Sequence, residues 1–249
     1  MRKFLVVFGA LLAVATLTMG QKPKSPKEIE AIQAIQKATT ADERIAAAEN
    51  LVTKYKDSEF KSYAMFMAAQ AAQTKGDQVA ALTYGNRSLE ADPKNFQALL
   101  LVSGLLAQST REFDLDKDEK LGHATAMAND AIAAVTAAAK PNHALTDDQW
   151  TGIKKDMTSQ AHDTLGMVAM AQKKYDVAVN EFKSSMEVAA TPDLATSVRL
   201  AAAYTNTGKF DESTALLDKV IAEPGASEPI KKAAQNEKLR VEKAKALKK

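Results

Sequence analysis

The sequence predicts an all-α chain of stacked antiparallel helix pairs, and three observations carry that prediction. Hydrophobic residues make up an ordinary 46% of the 249 residues, while aromatic residues reach only 6%. Alanine is abundant throughout, and it is both the best helix former and the smallest side chain that still packs. A core built mainly from it requires helices lying close together. The 17 Gly and Pro residues fall mostly between helical runs, as punctuation.

Residues 1–20 have the anatomy of a secretory signal peptide. Met1-Arg2-Lys3 is basic, an apolar run follows from Phe4 to about Ala15, and Thr18-Met19-Gly20 offers small residues for cleavage just before Gln21. The run is short for a membrane span, which needs about 20 residues. A periplasmic or secreted location is therefore expected. With no Cys, the exported chain has neither a lipid-anchoring cysteine nor disulfides, and it must rely on its core. Removing Arg2 and Lys3 leaves 31 Lys+Arg against 31 Asp+Glu, a neutral balance that gives no case for a nucleic-acid partner.

The helical elements follow in order. Ser25-Pro26-Lys27-Glu28 supplies an N-cap, a first-turn proline and an N3 glutamate, and Thr40-Ala41-Asp42-Glu43 is a second capping box. Ile29, Ile32 and Ile35, then Ile45, Ala48, Leu51 and Tyr55, mark a helix pair over 25–58. Residues 62–95 form the clearest unit: Met65, Ala68, Ala69 and Ala72 on a first helix, the turn at Gly76-Asp77, then Ala81, Ser88-Leu89 and Asp92-Pro93. Residues 96–139 read as a divergent pair, Phe96 to Gln108 and then a helix carrying Leu121, Ala124, Ala128, Ala131 and Ile132, separated by an insertion at about 109–118. A connector around 140–150 holds Thr146 and Gln149, a capping box that starts a helix near Asp147.

Two further units begin 35 residues apart. The first, at about 159–192, has Leu165-Gly166, Ala169, Tyr175, Ala178, Phe182 and Ser185; the second, at about 194–227, has Leu200-Ala201, Tyr204, Gly208, Phe210, Ser213, Leu217 and Val220. Small residues such as Gly166, Ala178 and Ser185 let two helices approach to about 8–10 Å. After Pro229 a final helix, 229–249, carries Ile230, Ala233, Ala234, Val241 and Ala244 and reads as a polar-backed cap.

These three in-phase units resemble tetratricopeptide repeats, whose period is about 34 residues. The resemblance implies a right-handed α-solenoid of about four to five helix pairs over 21–228, closed by the C-terminal helix. It also implies a protein-interaction scaffold rather than an enzyme, with a protein or peptide lying in the concave groove lined by first helices. The family's groove positions fall on Tyr63, Phe66, Gln70 and Gln73, on Gln97 and Leu100, on Asp163, Met167 and Met170, and on Val198, Thr205 and Asn206. The Lys/Asn clamp that captures C-terminal carboxylates in some members is absent. Alternatively, these residues cover one another or the C-terminal helix.

No constellation for catalysis, metal or cofactor meets the first criteria for a site. Asp114, Asp116 and Asp118 alternate as a calcium loop begins, but Glu119 stands where Gly is needed and Thr125 where the bidentate Glu belongs. The segment reads as a solvated loop entering a helix. His123, His143 and His162 lack metal spacing, and His162 falls at a helix-packing position. Trp150, the sole tryptophan, suits a covered position better than an exposed anchor. Residues 229–249 carry eight Lys/Arg against Glu237 and Glu242. That charge suits an anionic surface, but without interleaved aromatics it reads as a solvated capping helix. A structural, self-associating envelope component is the second functional expectation.

Overall fold

The computed structural model describes residues 21–141, 145–191 and 193–247, so the expected leader 1–20 lies outside the described residues. Among the described residues there are eleven helices and no strand. They are α1 (Pro26–Lys37), α2 (Ala41–Lys54), α3 (Lys61–Thr74), α4 (Gln78–Ala91), α5 (Phe96–Ser109), α6 (Lys117–Ala137), α7 (Asp147–Ala171), α8 (Tyr175–Val188), α9 (Leu194–Thr207), α10 (Phe210–Ala222) and α11 (Glu228–Leu247). The chain divides into two compact units, Met1–Leu105 with Ala133–Thr151, and Leu106–Ile132 with Gly152–Lys249.

Several helix starts are set by side chains that satisfy orphan N–H groups of the first turn, while α3, α8 and α10 begin without one. The Glu28 N–H donates to Ser25 Oγ at 3.2 Å. Thr40 and Glu43 close a reciprocal box, as do Thr146 and Gln149. Asp77 caps α4, Asn95 caps α5 and Asp193 caps α9. Asn95 also donates to Ser62 Oγ at 2.9 Å, tying the start of α5 to the start of α3.

In the first unit α1 packs on α2, α2 on α3 and α3 on α4, with α1 also reaching α3. Helix α3 is buried almost all round, from Ser62 to Ala72, as a helix with neighbours on several sides must be. Ile32, Ile35, Leu51 and Phe60 are buried in the same unit, as is Met65 of α3 itself. One sequence expectation is corrected here. Ile29 is exposed, and its neighbour Glu28 takes the inward place, with Oε2 accepting the Lys24 N–H at 2.5 Å. Glu28 is drawn back over the helix start by this bond, alongside the Ser25 cap. Trp150 is buried.

In the second unit α8 packs on α9, α9 on α10 and α10 on α11, and α11 also contacts α9. Phe182 is fully buried with Ala169, Ala178, Val179, Leu200 and Ala203. Leu217, Val220, Ala201, Ala234 and Val241 form the core that joins α9, α10 and α11. Leu121, Ala124, Ala107 and Val168 form another.

Three features recur in register. The turn between paired helices holds a left-handed residue at Gly76, Lys173 and Gly208. Buried hydroxyls bridge helix to helix at Ser62–Ser88 and Ser159–Ser185, both 3.0 Å apart and both 26 residues apart. The corresponding positions of the α9/α10 pair are Leu194 and the buried Val220, so apolar contact replaces the hydroxyl pair there. Glycines mark the closest approaches: a Cβ on Gly85 would come 2.5 Å from Val102, and one on Gly166 would come 2.5 Å from the Phe182 ring.

Candidate protein-interaction site

The expected groove residues divide into those the chain covers and those it leaves accessible. In the first unit Tyr63, Phe66 and Leu100 are buried and belong to the packing between helices. Gln70 and Gln97 are half-buried, and Gln73 is exposed at the last turn of α3. The accessible part of this face is thus an amide-bearing surface, able to donate and accept hydrogen bonds.

In the second unit Asp163 of α7 is held by α9. Arg199 reaches its two oxygens at 3.1 and 2.9 Å, and the Thr196 hydroxyl donates at 2.9 Å. Burial pushes the Asp163 carboxyl above its usual range, and the Arg199 guanidinium and Thr196 hydroxyl pull against that shift. Met167 and Met170 are half-buried against the Phe182 core, and Met167 also lies on the Leu121 core. His162 links α7 to α8 through Glu181 at 2.8 Å, a helix contact as its spacing suggested.

The last pair is covered by the chain itself. Val198 packs on the core that includes Ala234 and Val241 of α11. Thr205 is buried, its hydroxyl 3.0 Å from Ser213 Oγ and 2.9 Å from Glu237 Oε1. Arg240 donates to the Ala202 carbonyl at 3.1 Å and reaches Asn206 Oδ1 at 3.4 Å. The C-terminal helix therefore occupies the side of α9 on which Val198, Thr205 and Asn206 lie. That coverage was one of the two arrangements open in the sequence.

Several ion pairs tie neighbouring helices together within each unit. Arg87 of α4 forks onto Glu49 of α2, with the Tyr84 ring 5.5 Å from its guanidinium carbon. This pairing holds the Glu49 carboxyl below its usual range. The acidic loop before α6 is likewise engaged: Asp114 accepts the Arg111 N–H at 3.1 Å, and Lys120 lies 2.9 Å from Asp116. No group of three or more His, Cys, Asp or Glu side chains among the described residues could hold a metal ion. No helix among them is long and apolar enough to cross a membrane.

The structure superposes on a thermophilic tetratricopeptide-repeat protein of Thermus thermophilus with a TM-score of 0.57 at 15% identity, over 86% of this chain and 96% of that one. The fold is that of a tetratricopeptide-repeat protein. The repeat fold explains the recurring turn, the small residues at close approaches and the consecutive helix pairs with one set of causes. An assembly chaperone of RpL4, Acl4, is also similar, with a TM-score of 0.45 at 12% identity over 89% of this chain and 98% of that one. The sequence matches no protein-family model. It also matches no curated protein sequence.

The sequence missed two features of this surface. Arg199 clamps Asp163 from 36 residues away, which no local spacing announces. Phe113 and Leu115 stand almost fully exposed on the loop before α6, and their alternation with Asp114 and Asp116 was the available signal.

Proposed function

We propose that this chain is a non-catalytic scaffold of the cell envelope that holds a protein or peptide partner along the accessible first-helix faces of its repeats. The observation that carries this reading is the repeat fold itself, which keeps Gln70, Gln73 and Gln97 in one unit and Met167 and Met170 in the other at least partly open to solvent. Amide side chains pair with the backbone of an extended or helical segment, and Met side chains adapt to varied apolar ones. The α9 positions contribute through their contact with α11 rather than to a ligand. The leader read over 1–20 supports a periplasmic or secreted location, with a mature N-terminus near Gln21.

The test is photocrosslinking in intact cells of the native source. A benzophenone amino acid replaces Gln73 or Met170 in separate variants, with exposed Lys219 of α10 as the control position. Adducts to one protein from the first two sites and not from the third are expected, together with a mature chain starting near Gln21 in the extracytoplasmic fraction. Equal adducts from all three sites, or a chain that keeps Met1 and stays in the cytosol, would sink the corresponding half of the reading.

A further inference from the structure

Phe113 and Leu115 are 92% and 107% exposed, the two most exposed large apolar side chains among the described residues. The loop that carries them is pinned rather than loose. Glu112 accepts from Lys173 at 2.7 Å and from Lys117 at 3.4 Å. Asp114 takes the Arg111 N–H and Lys120, and Lys120 also meets Asp116. Main-chain bonds from Asp114 N to Arg111 O and from Lys117 N to Asp114 O close the turns. The carboxylates of 112, 114 and 116 are tied to lysines, and the alternate residues 113 and 115 point into water. Asp118 and Glu119 follow in the first turn of α6, where the His123 ring lies 3.8 Å from Glu119.

Helix α11 of the same unit carries a surface of matching character. It buries Ala234 and Val241, and helical periodicity turns Lys232, Leu239, Lys243 and Leu247 to the opposite side. Leu239 is 56% exposed and Leu247 is 88% exposed. Lys238, Arg240 and Lys245 are engaged with Asp218, Glu237 and Asp211. Lys232 and Lys243 make no ion pair within the chain among the described residues. One surface therefore offers two apolar side chains beside the carboxylates of Asp118 and Glu119, and the other offers Leu239 and Leu247 alternating with the ammonium groups of Lys232 and Lys243.

We propose that the Phe113–Leu115 loop of one chain docks on the outer stripe of α11 of a second copy. Phe113 and Leu115 pack on the Leu239–Leu247 stripe, and the consecutive Asp118 and Glu119 bring their carboxylates to Lys243, which lies between those two leucines. Because the two partners use different surfaces, the contact is heterologous and extends into a ring or a chain of copies. A buried aromatic contributes on the order of 150–250 Å², well below the roughly 800 Å² per partner of a standard interface, so the association is weak and rises with concentration. Its charged half weakens with added salt. None of these residues belongs to the first-helix faces, so this contact stands or falls apart from partner binding there.

The test is sedimentation velocity on the purified chain from about 10 to about 500 µM, at low and high salt. The wild-type mean mass should rise with concentration and fall with salt. Two variants, Phe113→Asp with Leu115→Asp and Leu239→Glu with Leu247→Glu, should each weaken association about tenfold or more. All four positions are exposed, and circular dichroism checks that both variants keep the wild-type helix content. Mixing the two variants should restore a single one-to-one dimer that does not grow, because each retains the surface the other lost. A wild type that stays monomeric throughout, either variant associating like the wild type, or a mixture that fails to pair overturns the proposal. So does a Leu239→Glu, Leu247→Glu variant that loses binding to phosphatidylglycerol vesicles while self-association is unchanged, since the α11 stripe would then serve a lipid surface.

Discussion

Gly76 and Gly208 hold φ near 79°, and Lys173 holds φ near 60° at the same place in its own pair. For an L residue the left-handed region costs about 1–2 kcal/mol, because Cβ approaches the following carbonyl. Gly76 has nothing within 4 Å of a built Cβ, so Gly76→Ala tests that conformational cost with no clash added. It should destabilise by about 1 kcal/mol. Lys173→Gly should act in the opposite direction but more weakly, by about 0.5 kcal/mol, since glycine's extra freedom in the unfolded chain offsets part of the relief. The loss of an exposed ion pair with Glu112 subtracts little. Urea midpoints measure both, and a destabilised Lys173→Gly variant would refute the assignment of strain to this turn.

At the scale of helices, the close approach of α7 and α8 depends on a complementary pair. Gly166 leaves room for the Phe182 ring, which is fully buried and would lie 2.5 Å from an added Cβ. Gly166→Ala should cost about 1–3 kcal/mol through overpacking. Phe182→Leu removes ring atoms and opens a cavity, so it too destabilises. Their combination should cost less than the sum by about 1 kcal/mol, because the smaller side chain accepts the new methyl. Strict additivity in a thermal or urea cycle would show that the two residues do not share one space. This pair was legible in the sequence because repeat spacing aligns small with large positions. The capping boxes at Thr40 and Thr146 were equally legible, since they act within four residues. The inward turn of Glu28 was not, because a polar residue facing the core breaks the apolar pattern on which the reading of α1 relied.

Across the whole chain, spacing located the first helices but not what lies over them. Phe66 and Val198 occupy equivalent repeat positions, yet one is buried in the helix packing and the other is half-buried beside α11. Those covers come from residues far away in the chain, so local pattern carries no record of them. The same long-range pairing sets how stability responds to acid. Glu49 is held below its usual range by Arg87, so it binds its proton less readily when folded; its contribution is present above the unfolded pKa and lost as pH falls through the folded one. Asp163 is raised by burial, so its contribution has the other sign: present below the unfolded pKa and lost as pH rises through the folded one. Exposed Glu112, Asp147 and Asp211 and half-buried Asp114 share the direction of Glu49 but are screened by solvent. The wild type should therefore lose stability as pH drops below about 5. Glu49→Gln should flatten that loss, and Asp163→Asn should steepen it, because it removes the one group among these that gains a proton on folding. Urea midpoints for the three proteins between about pH 3.5 and 7 decide the matter. Three parallel curves would refute both assignments: Glu49 would then gain nothing from Arg87, and the Arg199 and Thr196 contacts would fully offset the burial of Asp163.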